Sequence, residues 1–142
     1  MALKLSTGLR NKMLSGTSCS FREIFTGGVF TIYTGSAPTS PDSAPSGSLV
    51  CTFGAATFGT TGTAGTVALA ASAVSGTCSI AGTVGYFRLS ESGDGSTAST
   101  TGARLQGVVG KTDAAGADLT LVNTIVLANQ VLTITTGSVG FP

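Results

Sequence analysis

Apolar and polar positions alternate along most of this chain, and the alternation predicts short β-strands separated by Gly-, Ser- and Thr-rich turns. Val29-Phe30-Thr31-Ile32-Tyr33, bounded by Gly28 and Gly35, is the clearest strand start. Further strands are predicted over Ser48–Phe53, Thr66–Ala70, Ser75–Ile80, Val84–Ser90, Ala103–Val109, Leu119–Val122 and Gln130–Thr136. In Val84–Ser90 the period of two puts Val84, Tyr86 and Arg88 on one face and Gly85, Phe87 and Leu89 on the other. Ile125-Val126-Leu127 reads as a strand or a buried connection, and Gly54–Gly65 has no firm pattern. About eight short strands with turn signals every 8–12 residues give an all-β fold, a jelly-roll-like sandwich. Alternation alone leaves jelly-roll and immunoglobulin-like strand orders open.

The beginning of the chain has a different period. Leu3, Leu5, Leu9, Met13 and Leu14 include i,i+4 pairs, which predicts a helix over residues 2–16, weakened by Gly8 and ended by Gly16. Ser20 and Glu23 have the spacing of a capping box, and Gly27-Gly28 supplies a stop, so a second short helix follows. Residues 1–27 are therefore expected to form a basic helical arm, peripheral to a β-sandwich over residues 28–142. Pro38, Pro41 and Pro45 disfavour both helix and central strand between Ser36 and Ser48, which predicts an extended surface loop. The polar tract Glu91–Thr101 is a second loop, turning at Gly93-Asp94-Gly95.

Composition narrows the function. The 142 residues suit one domain. The chain has no His and no Trp, only 9% charged residues, and 21 Gly. It is 42% hydrophobic with a net charge of +1, which argues against disorder and permits dense packing of copies. The weakly polar run Gly65–Ile80 is too interrupted to span a bilayer, and the N-terminus has no apolar core of signal-peptide length. A protein made in a cytoplasm and held there until assembly or lysis is expected. Cys19, Cys51 and Cys78 are odd in number and widely spaced, with no His to complete a zinc site, and read as reduced, largely buried thiols.

Enzyme chemistry has little to stand on. Without His, no Ser, Thr or Cys has an imidazole base to activate it. Asp113 with Asp118, and Glu91 with Asp94, could serve hydrolysis or hold Ca²⁺, but neither pair fits an EF-hand loop and both read better as solvated turn residues. Gly110-Lys111-Thr112 ends like a phosphate loop, yet Leu105 stands where the earlier Gly is required. No catalytic residue, metal site or cofactor is assigned. Lys4, Arg10, Lys12 and Arg22 make the N-terminal segment basic, but four charges without interleaved aromatics are a poor nucleic-acid signal. A helix that docks on a partner subunit is the better reading.

Several stretches resemble a known group. Leu9-Arg10-Asn11 in the N-terminal helix, Gly27–Gly35, Ala37-Pro38 with Asp42–Pro45, Gly85-Tyr86-Phe87-Arg88-Leu89-Ser90-Glu91-Ser92-Gly93-Asp94 and Ala117–Leu121 are similar to small virion structural proteins of tailed bacteriophages. The resemblance implies a non-enzymatic virion component. Within that group it implies a capsid cement (decoration) protein, seated on the exterior of the major capsid protein lattice and self-associating as a homo-oligomer. Neck, tail or fibre proteins, and a host- or glycan-binding sandwich module, are the alternatives. The contact residues expected are Lys4, Arg10, Lys12 and Arg22 on the arm and Pro38, Pro41 and Pro45 on the loop. Deleting residues 1–16 is then expected to weaken attachment to heads and leave the β-domain folded.

Overall fold

A computed structural model describes residues 3–15, 19–63, 66–69, 74–134 and 138–140. Gly16, Gly65, Ala70, Thr135 and Thr136, named in the sequence reading, lie outside the described residues. The protein is mostly β, a sandwich-like arrangement built on one large sheet. Its elements are β1 (Lys4–Leu5), α1 (Thr7–Ser15), α2 (Phe21–Phe25), β2 (Gly28–Thr34), β3 (Leu49–Ala56), β4 (Phe58–Thr63) and β5 (Thr66–Leu69). There follow β6 (Val74–Thr77), β7 (Gly82–Ser90), β8 (Arg104–Lys111), β9 (Leu119–Leu121), β10 (Ile125–Val126), β11 (Val131–Ile134) and β12 (Ser138–Gly140).

The large sheet runs β1-β8-β7-β2-β3, all antiparallel, with β10 added to β7 and β9 added to β8. β9 is parallel to β8. Two small ribbons, β6-β11 and β4-β5-β12, complete the described strands. All eight predicted strands are present, and the two short helices as well. α2 is capped as its sequence predicts: the Ser20 hydroxyl accepts from the Glu23 amide at 3.2 Å and bonds the Glu23 carboxylate at 2.8 Å.

The central sheet has two chemically different faces. On one, Ile32, Cys51, Phe53, Phe87, Val109 and Val126 form a buried apolar cluster. Beside it Leu9, Ile24, Phe25, Phe58, Leu89 and Leu105 form a second, so both helices and β4 close this face. Phe30 joins the clusters, stacked on Phe87 with centroids 5.1 Å apart and edge-on to Phe53 at 5.4 Å. The opposite face carries Tyr33, Thr31, Tyr86, Arg88, Ser90, Arg104 and Gln106, aligned by the register of β2, β7 and β8, and all of them are buried. Loops 35–48 and 91–103 cover it.

The N-terminal segment departs from expectation. Lys4–Leu5 is a strand on the edge of the large sheet, and the helix begins only at Thr7. Ser6 joins the two: its hydroxyl donates to the Gly102 carbonyl at 2.8 Å and accepts from the Arg104 and Leu9 amides at 2.9 and 3.0 Å. Leu9 is fully buried. This part of the chain is woven into the fold rather than hung beside it, because the sheet edge at β8 and the apolar surface of Leu89 and Leu105 need a cover.

Gly8 shows why. A Cβ there would overlap the Thr101 carbonyl oxygen, so the helix packs backbone to backbone on loop 91–103. In a solvent-exposed helix, Gly→Ala stabilises by about 1 kcal/mol. Here Gly8→Ala is expected to destabilise by ~1–3 kcal/mol through overpacking, read as a lower denaturant midpoint at unchanged slope.

Candidate association surface

The buried polar face is built from β7 and β8 side chains that grip loop backbone. Gln106 Nε2 donates to the Pro38 carbonyl at 2.7 Å, Arg104 Nη1 to Pro41 at 3.1 Å, Arg88 Nη1 to Ser43 at 3.0 Å, and the Tyr86 hydroxyl to Ser46 at 2.5 Å. The proline-containing loop is thus stitched down by its carbonyls, one after another. Loop 91–103 is held by Arg104, which makes a bidentate pair with Asp94 at 2.7 Å for each bond and donates to the Thr97 carbonyl at 2.6 Å. The loops also meet: the Ser99 amide donates to the Asp42 carbonyl, and the Asp42 carboxylate takes the Thr7 amide and hydroxyl at 2.8 and 2.6 Å.

Electrostatics follow from this geometry. Burial pushes the Asp94 carboxyl up, but the hydrogen bonds and charge of Arg104 outweigh it, and the net shift is down. Asp42 is likewise lowered, its slight burial overcome by the two bonds from Thr7. Arg88 is fully buried, bonded to the Ser43 carbonyl and to Gln106 Oε1 at 2.8 Å, and has no hydrogen bond to a carboxylate. Desolvation and the neighbouring Arg104 cation lower its pKa.

The predicted contact residues do not form one patch. Lys4 is half-buried on β1 and, with Gly35, Ser36, Ala37, Gln106 and Asp118, lines a cleft of about 330 Å³. Arg10 is exposed on α1, its Nη2 on the Thr7 hydroxyl at 3.2 Å. Lys12 is committed to an ion pair with Glu91. Arg22 is exposed on α2. Pro41 is buried, and its carbonyl and that of Pro38 are bound to the sheet. Pro45 is half-buried. The proline loop therefore lies against its own sheet where an outward-reaching contact was expected, because four side-chain donors on the sheet need acceptors.

The carboxylates weighed for chemistry are also placed. Glu91 caps the Ala103 amide at 2.9 Å, and Asp118 takes the Val108 amide at 2.9 Å where β9 starts beside β8; Asp113 is exposed. Among the described residues no group of three or more His, Cys, Asp and Glu side chains is gathered to hold a metal ion. No described helix is long and apolar enough to cross a membrane.

Sequence reasoning passed over another surface. Val122 (87% exposed), Ile125 (61%), Leu127 (66%) and Val131 (61%) all face solvent, just after β9, on β10, in the turn after it and at the start of β11. Only Val126, between them, is buried. The signal was present as an absence: residues 43–87 and 119–142 contain no Asp, Glu, Lys or Arg. These stretches supply β3 to β6 and β9 to β12, so the charges of the chain sit in β1, the helices, the end of β7, β8 and the loops at 42, 91–94 and 113–118. Comparison with protein-family models, with curated proteins and with solved structures finds no match to this chain.

Proposed function

We propose that this chain works by association, as a non-enzymatic structural protein of a tailed-bacteriophage virion that binds the exterior of the major capsid protein lattice as a cement subunit. The observation that carries association is the uncharged region with Val122, Ile125, Leu127 and Val131 exposed on it. Covering such a side chain contributes on the order of 1.5–3 kcal/mol. Repetition over a lattice makes a modest contact sufficient. The virion setting rests on the resemblance of Gly27–Gly35, Gly85–Asp94 and Ala117–Leu121. Self-association into a homo-oligomer uses the same kind of surface, and two exposed cations of the N-terminal segment, Arg10 and Arg22, are available to an acidic partner.

The test is the copy number of this protein in purified particles relative to the major capsid subunit, for the native chain and for Ile125→Asp/Leu127→Asp. A native ratio near the lattice count, falling at least tenfold in the variant at unchanged melting temperature, is the expected result. A few copies per particle would move the protein to the neck or tail, and absence from particles would overturn the virion reading.

A further inference from the structure

Cys51 and Cys78 are far apart in sequence but stand opposite each other in an antiparallel bridge between β3 and the residue that follows β6. Both are free and fully buried. The flanking bond runs from the Ser79 amide to the Val50 carbonyl at 2.8 Å, outside the pair, which makes this the non-hydrogen-bonded kind of opposed pair. Opposed Cα atoms in such a pair are about 4.5 Å apart, within the span a disulfide bridges. The backbone of Cys78 is held from its other side too: its amide donates to the Gln130 carbonyl at 2.8 Å, and its carbonyl accepts from the Asn129 amide at 2.7 Å. Gly76 keeps the approach open, since a Cβ there would come 2.8 Å from Cys51 Sγ. Burial, then the neighbouring Cys78, pushes the Cys51 thiol up to about 12.

We propose that Cys51 and Cys78 are an oxidisable pair, a dithiol while the protein is in a reducing compartment and a cross-strand disulfide once it meets a low-molecular-weight disulfide oxidant. One thiol gives up its proton and its thiolate attacks the oxidant, here oxidised glutathione, expelling one glutathione thiolate and leaving a mixed disulfide. The thiolate of the second cysteine attacks the protein sulfur of that mixed disulfide and expels the second glutathione. Two protein S–H bonds are replaced by one S–S bond. The oxidant's S–S bond is reduced, and the two protons end on the two glutathione thiols. A buried thiol with its proton held this firmly reacts only when the β6-β11 ribbon opens, so the rate follows local opening. The bond ties the large sheet to that ribbon and closes the loop that contains β4 and β5. None of this depends on the virion reading.

The chain lends itself to a clean test. Trypsin finds no Lys or Arg between Arg22 and Arg88, so Cys51 and Cys78 fall on one peptide, 23–88, and Cys19 on another, 13–22. The folded full chain is incubated with oxidised glutathione, alkylated, digested and weighed. Peptide 23–88 is expected to lose two hydrogens and to resist alkylation. In the Cys19→Ser background, which leaves the core untouched, the oxidised protein is expected to melt roughly 5–10 °C above the same protein reduced. Free alkylation of both cysteines after oxidation, a persistent glutathione adduct on either, or a bridge that leaves the melting temperature unchanged or lower would overturn the proposal.

Discussion

Deletion of residues 1–16 will leave a chain that does not fold cooperatively. The β1 edge, the three Ser6 bonds, the Thr7 bonds to Asp42 and the fully buried Leu9 all go at once. Leu9 alone sits with Phe25, Leu89, Ala103 and Leu105, and Leu9→Ala is expected to cost ~2–5 kcal/mol, against a total of about 5–15 kcal/mol for a typical domain. The single substitution should lower the melting temperature by roughly 10 °C, and the deletion should abolish the sigmoidal transition in circular dichroism. A truncated protein that melts like the full chain would show that the sheet edge at β8 does not need this cover. Read from sequence alone, the same deletion should affect attachment and spare the fold; with Leu9 buried, loss of attachment by the truncated protein would say nothing about contacts.

Asp94→Asn will be nearly as damaging, and its damage will depend on pH. The carboxylate is the bidentate partner of Arg104, whose side chain is fully buried, and Arg88 lies buried nearby. Removing it leaves two guanidinium groups in the interior without a counter-charge, a change that costs ~3–5 kcal/mol at neutral pH. The sign of the pH dependence follows from the lowered Asp94 pKa. The native protein keeps the stabilisation above the ordinary Asp range, near 4, and loses it as pH falls through the folded-state value. The variant lacks that component, so the stability gap between the two proteins should be widest at neutral pH and narrow on acidification. Asp42, also lowered, leaves a smaller acid dependence in the variant. Urea midpoints measured from pH 7 to pH 3 decide the matter: parallel curves would mean that Asp94 is not the titrating partner.

Much of the framework was legible because it is local. Alternation finds β2, β7 and β8, and a four-residue capping box finds α2. What escaped was set by distant partners. Lys4–Leu5 is too short to show a period, and its strand character comes from β8, a hundred residues on. Arg88 alternates with Tyr86 as read, but that it is buried depends on Ser43 and Gln106, which no spacing rule connects to it. The proline loop was correctly read as neither helix nor strand; that it faces inward follows from donors on strands far along the chain. The exposed apolar residues near β10 were within reach, since they lie in a stretch without a single charge.

The way loop 35–48 is anchored has a consequence for how the protein can vary. Apart from the Asp42 carboxylate on Thr7, its holdfasts on the sheet are main-chain carbonyls, which every amino acid carries, and Thr39, Ser43 and Ala44 are exposed. Substitutions at those positions leave the anchoring bonds intact, whereas Arg88, Arg104 and Gln106 beneath are each tied to several partners at once. At those three positions the loop is in effect a display segment on a fixed mount, open to change in sequence, while Pro41, Asp42 and Gly47 between and beside them stay bound to the fold.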